Sequence, residues 1–528
     1  MSSFSIVSHK PSITRVSAQI LKERIDASHY AATHLELEGQ MRRFLRTSLL
    51  LNIFEVTKLS GFEFTKYFTS KELTTGNIPC VTSQNIKEDN IDLTDCIYIT
   101  DATHKLLTRS SLKSGEIALS YTGHYRRSAV VPKQLEPLHL GPNVCKLTPI
   151  VKSDSHFFSA FLNSEYGQRS LDREKTISAQ PTVNMERIRY LTITEPAPLA
   201  QTYVGDKVRQ AEWLRAQAQK LEEEVFSFHN ALIPSQSGFN YARKSRMTPV
   251  AILSDRLDAH FYPAVVEDYM KSFNLEVHKL ADLSELVTNG NTMGPSEDAA
   301  NAIGQITVAN LSSTFLKGEP RLVSAPSKRE KFTKTHDILF CNAAHNKSYI
   351  GRQITYCHSE DDFLPSTEVM LIRLDRDKVP ASYVRCYLLT KIGFIQIQST
   401  IRGITAHSYP EDVRILRIPV PTLTGKEKTD WFKQDDKMDL AGGCFTHSTR
   451  LTTAAKLLVE ALIDGHLTES DLIAAQKSLE AGDRTADREI LSRLTRKGIN
   501  VAGEPSLFPD LDKLYEALDT LETPEDEA

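Results

Sequence analysis

Cysteine is sparse in this 528-residue chain. Its seven thiols, Cys80, Cys96, Cys145, Cys341, Cys357, Cys386 and Cys444, are odd in number, widely spaced and never in a C-x-x-C arrangement. That usage argues against a disulfide framework or a structural zinc site and favours reduced, partly buried thiols in a cytosolic protein. No apolar run approaches the length of a membrane span, and the N-terminus lacks the pattern of a secretory signal, so a cytoplasmic location is expected. An excess of one charge is missing too. The 63 Lys+Arg face 67 Asp+Glu, a formal −4, without the basic balance usual for a nucleic-acid binder. That average conceals two opposed regions: residues 504–528 hold nine acids and one lysine, a net −8, which leaves +4 on residues 1–503.

The familiar catalytic signatures are absent as well. There is no G-x-x-x-x-G-K-[ST] loop, no G-x-G-x-x-G after a strand, no H-E-x-x-H, no G-x-S-x-G elbow and no Pro-Pro pair of the kind amino-methyltransferases use. Pro509-Asp510-Leu511-Asp512-Lys513 superficially suggests a metal-dependent nuclease site. Its acids immediately precede the amphipathic run Leu511, Leu514, Tyr515 and Leu518, which makes Asp510 and Asp512 helix N-terminal residues.

What the chain does contain is an internal repeat. Arg24–Tyr30 returns as Arg256–Tyr262, Glu55–Leu59 as Glu276–Leu280, Ser114–Ser120 as Thr335–Cys341, and Ile188–Ile193 as Val413–Ile418, with Pro196 answering Pro421. The order is kept at offsets of 232, 221, 221 and 225, far longer than a solenoid repeat, so two whole domains are expected. Short β-branched segments at Ile78–Val81, Ile97–Thr100, Ile117–Ser120, Ala129–Val131 and Val369–Leu374 predict strands. Helical runs are predicted between them, at Phe157–Leu171 and Tyr383–Ile397, which gives an α+β class.

A long helix is predicted after each unit. From Gln201 to Leu232, apolar residues at Val204, Val208, Ala211, Leu214, Ala218, Leu221, Val225, Phe228 and Leu232 form a seam with spacings of three and four. Leu451, Ala455, Leu458 and Leu462 carry a second seam, reaching back toward Met438, with Gly442-Gly443 weakening its start and Gly465 as its stop. The two seams are expected to cover each other in an antiparallel coiled coil.

The paired R-[IL]-D-A segments, the K-L segment opening each unit, Gly115-Glu116-Ile117 and the Ser178–Asn184 run, together with the domain-plus-long-helix layout, resemble specificity subunits of type I restriction-modification systems. The resemblance covers roughly residues 20–464. It implies target-recognition domains at 1–200 and 249–421, spacer helices at 201–248 and 422–464, and leaves 465–528 as a helical acidic extension. It further implies a non-catalytic subunit that reads a bipartite, non-palindromic DNA target and docks two adenine methyltransferase subunits, with a motor-nuclease subunit as an optional further partner. No cofactor belongs to this chain; S-adenosylmethionine belongs to the partner methyltransferase. Rival readings are a methylation-linked phage-defence system without the motor subunit, a stand-alone nuclease using Asp510 and Asp512, and a coiled-coil adaptor.

Base readout needs Arg, Lys, Asn or Gln at loop tips. Candidates in the first unit are Ser83, Gln84 and Asn85 after a strand, Thr122, His124, Tyr125, Arg126 and Arg127 in one loop, and Gln180 and Asn184. The second unit offers Asn310, then Asn342, His345, Asn346 and Lys347, then Arg402 and His407. Asp26 and Asp258, beside Arg24 and Arg256, suit an ion pair or cap.

Overall fold

A computed structural model describes residues 15–16, 27, 29–123, 126–176, 181–242, 253, 256–272, 276–296, 302–359 and 362–520. They fall into two units: one runs up to Leu214 and resumes at His447, and the other is Arg215–Thr446.

The same mixed helix-and-strand topology occurs in both. In the first unit a four-stranded sheet has the spatial order Phe54–Lys58, Val144–Pro149, Ile117–Ser120, Ser128–Val130. In the second the order is Ser284–Asn289, Val369–Leu374, Ile338–Cys341, Ile354–Tyr356. Every neighbour pair in both sheets is antiparallel, and the register agrees, with Ile117 opposite Leu147 and Ile338 opposite Ile372. A second sheet in each unit carries a parallel pair, in which Cys80 faces His139 and Gln305 faces Leu364. The central strands are buried on both faces, which explains their unbroken apolar runs. An acid immediately precedes each of them. Buried Glu116 pairs with Lys146 Nζ at 2.8 Å, and buried Asp337 with Arg373 Nη2 at 2.7 Å.

One sequence match is corrected by this topology. Glu276–Lys279 pairs with Arg417–Val420, as Thr47–Leu49 pairs with Thr192–Thr194, and the Leu50 and Leu280 N–H groups donate to Leu191 and Leu416. Glu55–Leu59 therefore corresponds to the strand beginning at Ser284, not to Glu276–Leu280. A register shift between Ser284 and Leu286 inserts a residue there, and short alternating strands resemble one another too closely for sequence to choose between them.

Each of the two helical runs predicted between the strands is a pair of helices, Ser155–Asn163 with Glu165–Glu174, and Ala381–Leu389 with Lys391–Ser399. The break is written in hydroxyls. Ser164 Oγ accepts from Gly167 N–H at 3.3 Å, and Thr390 Oγ1 from Gly393 N–H at 3.1 Å. Both glycines touch the preceding turn so closely that a Cβ would lie 2.1 Å from the Phe161 carbonyl oxygen and 2.3 Å from that of Tyr387. Phe157, Phe158 and Phe161 are fully buried on the first helix, each contributing about 1.5–3 kcal/mol of apolar burial.

The long helices are Pro198–Leu232 and Gly425–Asp464. The second begins at Gly425 and runs unbroken through Gly442-Gly443. A Cβ on Gly442 would lie 2.4 Å from the His358 side chain, so that residue permits close packing. Gly465, at φ +76°, ends the helix as expected. Val225, Met438, Ala441 and Trp431 from both helices join the core of the second unit, where Lys437 Nζ also pairs with Glu224 at 3.0 Å. The residues of both helices that belong to the first unit present Val204, Val208, Ala211, Leu451, Leu458 and Leu462, all buried.

Candidate nucleic-acid interface

The central strand of each unit runs out into a loop that meets a second loop along a short ladder. In the first unit Thr122 bridges Thr182, its Oγ1 lying 3.1 Å from that of Thr182, and Val183 N–H donates to the Tyr121 carbonyl at 3.0 Å. In the second, Ala343 and Ala344 pair with His407 and Ala406, and Ser408 N–H donates to the Asn342 carbonyl at 2.8 Å. The structure thus brings together residues 121–123 and 182–184 of the candidate loops, and likewise 342–347 and 402–407. It also sets the Asn85 hairpin beside the first pair, through Asp89 N–H donating to the Ser128 carbonyl at 2.9 Å. His124, Tyr125, Gln180 and Asp26 lie outside the described residues.

Within this frame Asn85 and Asn310 brace their own loops. Asn85 Oδ1 accepts from Thr82 N–H at 3.0 Å and Thr82 Oγ1 at 2.7 Å, while Nδ2 donates to the carbonyls of Asp92 and Thr94 at 2.9 and 3.3 Å. Asn310 repeats all four bonds, to Thr307 N–H and Oγ1 at 2.9 Å each and to the carbonyls of Lys317 and Glu319 at 3.1 and 3.3 Å. Both are buried, and their hydrogen-bonding groups are used inside the loop. Ser83 is buried, whereas Gln84 is exposed.

Other candidates divide the same way. Asn184 caps the helix Met185–Arg189 by accepting from Arg187 N–H at 2.9 Å. Thr122 is buried in its bridge, and Arg126 forms an ion pair with Asp172. Asn342 is buried, and Asn346 accepts from Ser348 N–H at 3.0 Å. Arg402 is held by Asp412, its Nε 2.6 Å from Oδ2, and Asp412 also takes Arg256 Nη1 at 3.2 Å. Gln84, His345 and Lys347 are exposed, while Arg127 and His407 are partly so. Asp258 caps Phe261 N–H at 3.1 Å and pairs with Arg256, the structural role expected of it.

Three residues on this face escaped the sequence reading: Tyr349, Ile404 and Tyr409, all exposed. Tyr409 stacks on His407 with ring planes 24° apart, beneath the Arg402 guanidinium. The aromatic two residues after a histidine was the available signal for Tyr409.

The segment after Gly465 folds onto the first unit around one carboxylate. Asp487 Oδ1 accepts from Tyr203 Oη at 2.6 Å and Lys207 Nζ at 2.7 Å, and Oδ2 from Tyr515 Oη at 2.6 Å, with Lys207 and Asp487 both buried. Burial raises the Asp487 pKa, but Lys207 and the two phenols outweigh it and hold the carboxyl below its usual range. Asp510 Oδ1 accepts from the N–H groups of Asp512 and Lys513, and Asp512 pairs with Arg488 at 2.6 Å, so these acids sit at a helix N-terminus. No cluster of three or more metal-ligating side chains occurs among the described residues, and no helix there is long and apolar enough to cross a membrane.

Comparison with known proteins finds matches among solved structures. The chain is similar to the type I restriction-modification S subunit from M. genitalium, at 9% identity and a TM-score of 0.40, over 80% of this chain and 96% of that one. It is also similar to a chain from a structure of type I R-M complex assembly and conformational transition, at 14% identity and a TM-score of 0.28, covering 80% and 99%. A third neighbour is the HsdS subunit from Thermoanaerobacter tengcongensis, at 15% identity and a TM-score of 0.26, covering 81% and 98%. No family model and no curated protein is matched.

Proposed function

We propose that the chain is the DNA-specificity subunit of a type I restriction-modification system, its two units acting as tandem target-recognition domains for the two halves of a bipartite, non-palindromic site. The observation that carries this reading is the duplication itself. The two units share strand order, register and the four-bond Asn85/Asn310 brace, yet place different residues at the loop tips. Two non-identical readers on one chain suit a split site, where identical readers would suit a palindrome. The motif resemblance supports the same reading.

The helices Pro198–Leu232 and Gly425–Asp464, run as an antiparallel coiled coil, set the half-site spacing and dock two adenine methyltransferase subunits, which bring S-adenosylmethionine. A motor-nuclease subunit joins for restriction. The subunit itself is non-catalytic and cytoplasmic, and Gln84, Arg127, His345, Lys347 and His407 face the DNA. Co-expression with the methyltransferase encoded beside it, followed by long-read methylation mapping, tests the proposal. A split motif whose methylation needs this chain supports it, and its absence overturns it.

A further inference from the structure

Ile404 is the most exposed large apolar side chain among the described residues, at 106% of the reference exposure. Isolated exposed apolar residues need no explanation on an ordinary surface. This one stands at the tip of a loop built to hold it. Arg402 and His407 exchange both backbone hydrogen bonds, at 2.8 and 3.1 Å, closing a tight turn over Gly403, Ile404, Thr405 and Ala406. Gly403 supplies the left-handed φ of +80° that the turn demands. The His407 ring is fixed by a 2.6 Å contact between Nδ1 and the Thr405 carbonyl, and by its stack on Tyr409. Arg402 is tied to buried Asp412.

The surroundings point to the ligand. The Ala344–Ala406 pairing runs the ladder on toward His345, with exposed Lys347 and Tyr349 following it. A rigid tip ending in an isoleucine, flanked by basic and aromatic groups, has the chemistry of side chains that enter between base pairs and kink a duplex.

We infer that Ile404 is an apolar wedge that unstacks one base step in the half-site read by the second unit. The inference rests on the proposed DNA-reading function.

The test uses the full chain with its methyltransferase and duplexes of the mapped target, carrying 2-aminopurine at successive positions. The expected result is a fluorescence rise at one step of one half-site. Ile404→Ala abolishes that rise and weakens binding about tenfold, the scale of one lost base-pair contact, while Ile404→Leu retains both. Sequence-dependent binding with no brightened step, or with Ile404→Ala matching the wild type, overturns the wedge and leaves the DNA-reading function standing. Absence of sequence-dependent binding by the wild-type complex overturns both.

Discussion

In the first unit Asn85 ties Thr82 to two carbonyls further along its loop, and in the second Asn310 does the same from Thr307. The residue just before each brace differs: exposed Gln84 in one, Ala309 in the other. The same division recurs elsewhere. Glu116–Lys146 and Asp337–Arg373 each tie a buried acid at the head of the central strand to a cation on the neighbouring strand, whereas the loops beyond their strands share neither length nor composition. Buried polar groups must be satisfied whatever the loop tips do, so the braces are fixed by a cost that exposed residues never meet. Duplicated scaffold with divergent tips is the pattern expected of two readers with different targets.

The largest break in the comparison is the C-terminal segment, which belongs to the first unit only. Asp487→Ala leaves Lys207 buried without its counter-charge and should cost about 3–5 kcal/mol. Hydrogen exchange on the full chain should show protection lost through Tyr203–Leu214 and Thr485–Ser492 but kept in Val369–Leu374. Equal loss in both units would mean that they unfold as one body. Next come the braces: Asn85→Ala and Asn310→Ala should each cost about 2–3 kcal/mol, because each strands an N–H and two carbonyls. Denaturant melts in which one variant is silent would show that the two loops are only superficially alike.

A smaller asymmetry is electrostatic. His156 is the second residue of the helix Ser155–Asn163, and Ser382 holds the matching place on Ala381–Leu389. Burial and the Arg209 guanidinium, 3.0 Å from Nδ1, would lower the His156 pKa, but hydrogen bonds to Asp154 and Glu212 outweigh them and raise it to about 9. A raised histidine stabilises fully below its ordinary 6.5 and loses that contribution as pH climbs through about 9. In the second unit Ser382 Oγ lies 2.8 Å from Nε2 of His229, which burial lowers to about 3 and which stays neutral over that window. Raising the pH from 6 to 9.5 should therefore destabilise the first unit selectively, by up to about 3 kcal/mol. His156→Gln should remove the difference, and a pH-independent cost of that variant would refute the assignment.

Much of this was legible in the chain. Strands such as Ile117–Ser120 and Val369–Leu374, both long helices, the Gly465 stop and the Asp510 cap all follow from local pattern, because periodicity and capping act over a few residues. What stayed hidden was non-local. Asn85 reads as a base contact in sequence because nothing local reveals the carbonyls of Asp92 and Thr94 closing around it. Gly442 reads as a weak point because His358, its reason for being glycine, lies 84 positions away. The K-L coincidence at Leu59 and Leu280 misled because two short strands of one unit, Thr47–Leu49 and Phe54–Lys58, look alike in sequence, and only pairing tells them apart.

The smallest effect on stability carries the most information about recognition. Gln84 is exposed beside a fully satisfied brace, so Gln84→Ala should change stability by less than about 0.5 kcal/mol. A glutamine at that tip can make a bidentate contact to adenine, worth about 1–3 kcal/mol of discrimination, so the same variant should relax one base of one half-site in the methylation map. Ala309→Gln places the same side chain on the equivalent brace of the other unit and should be equally harmless to folding. If it adds a preference in the other half-site, the two loops are interchangeable mounts for base-reading side chains. If Gln84→Ala leaves the mapped motif unchanged, readout in the first unit falls to the loop containing Arg127, and the brace positions no reader there.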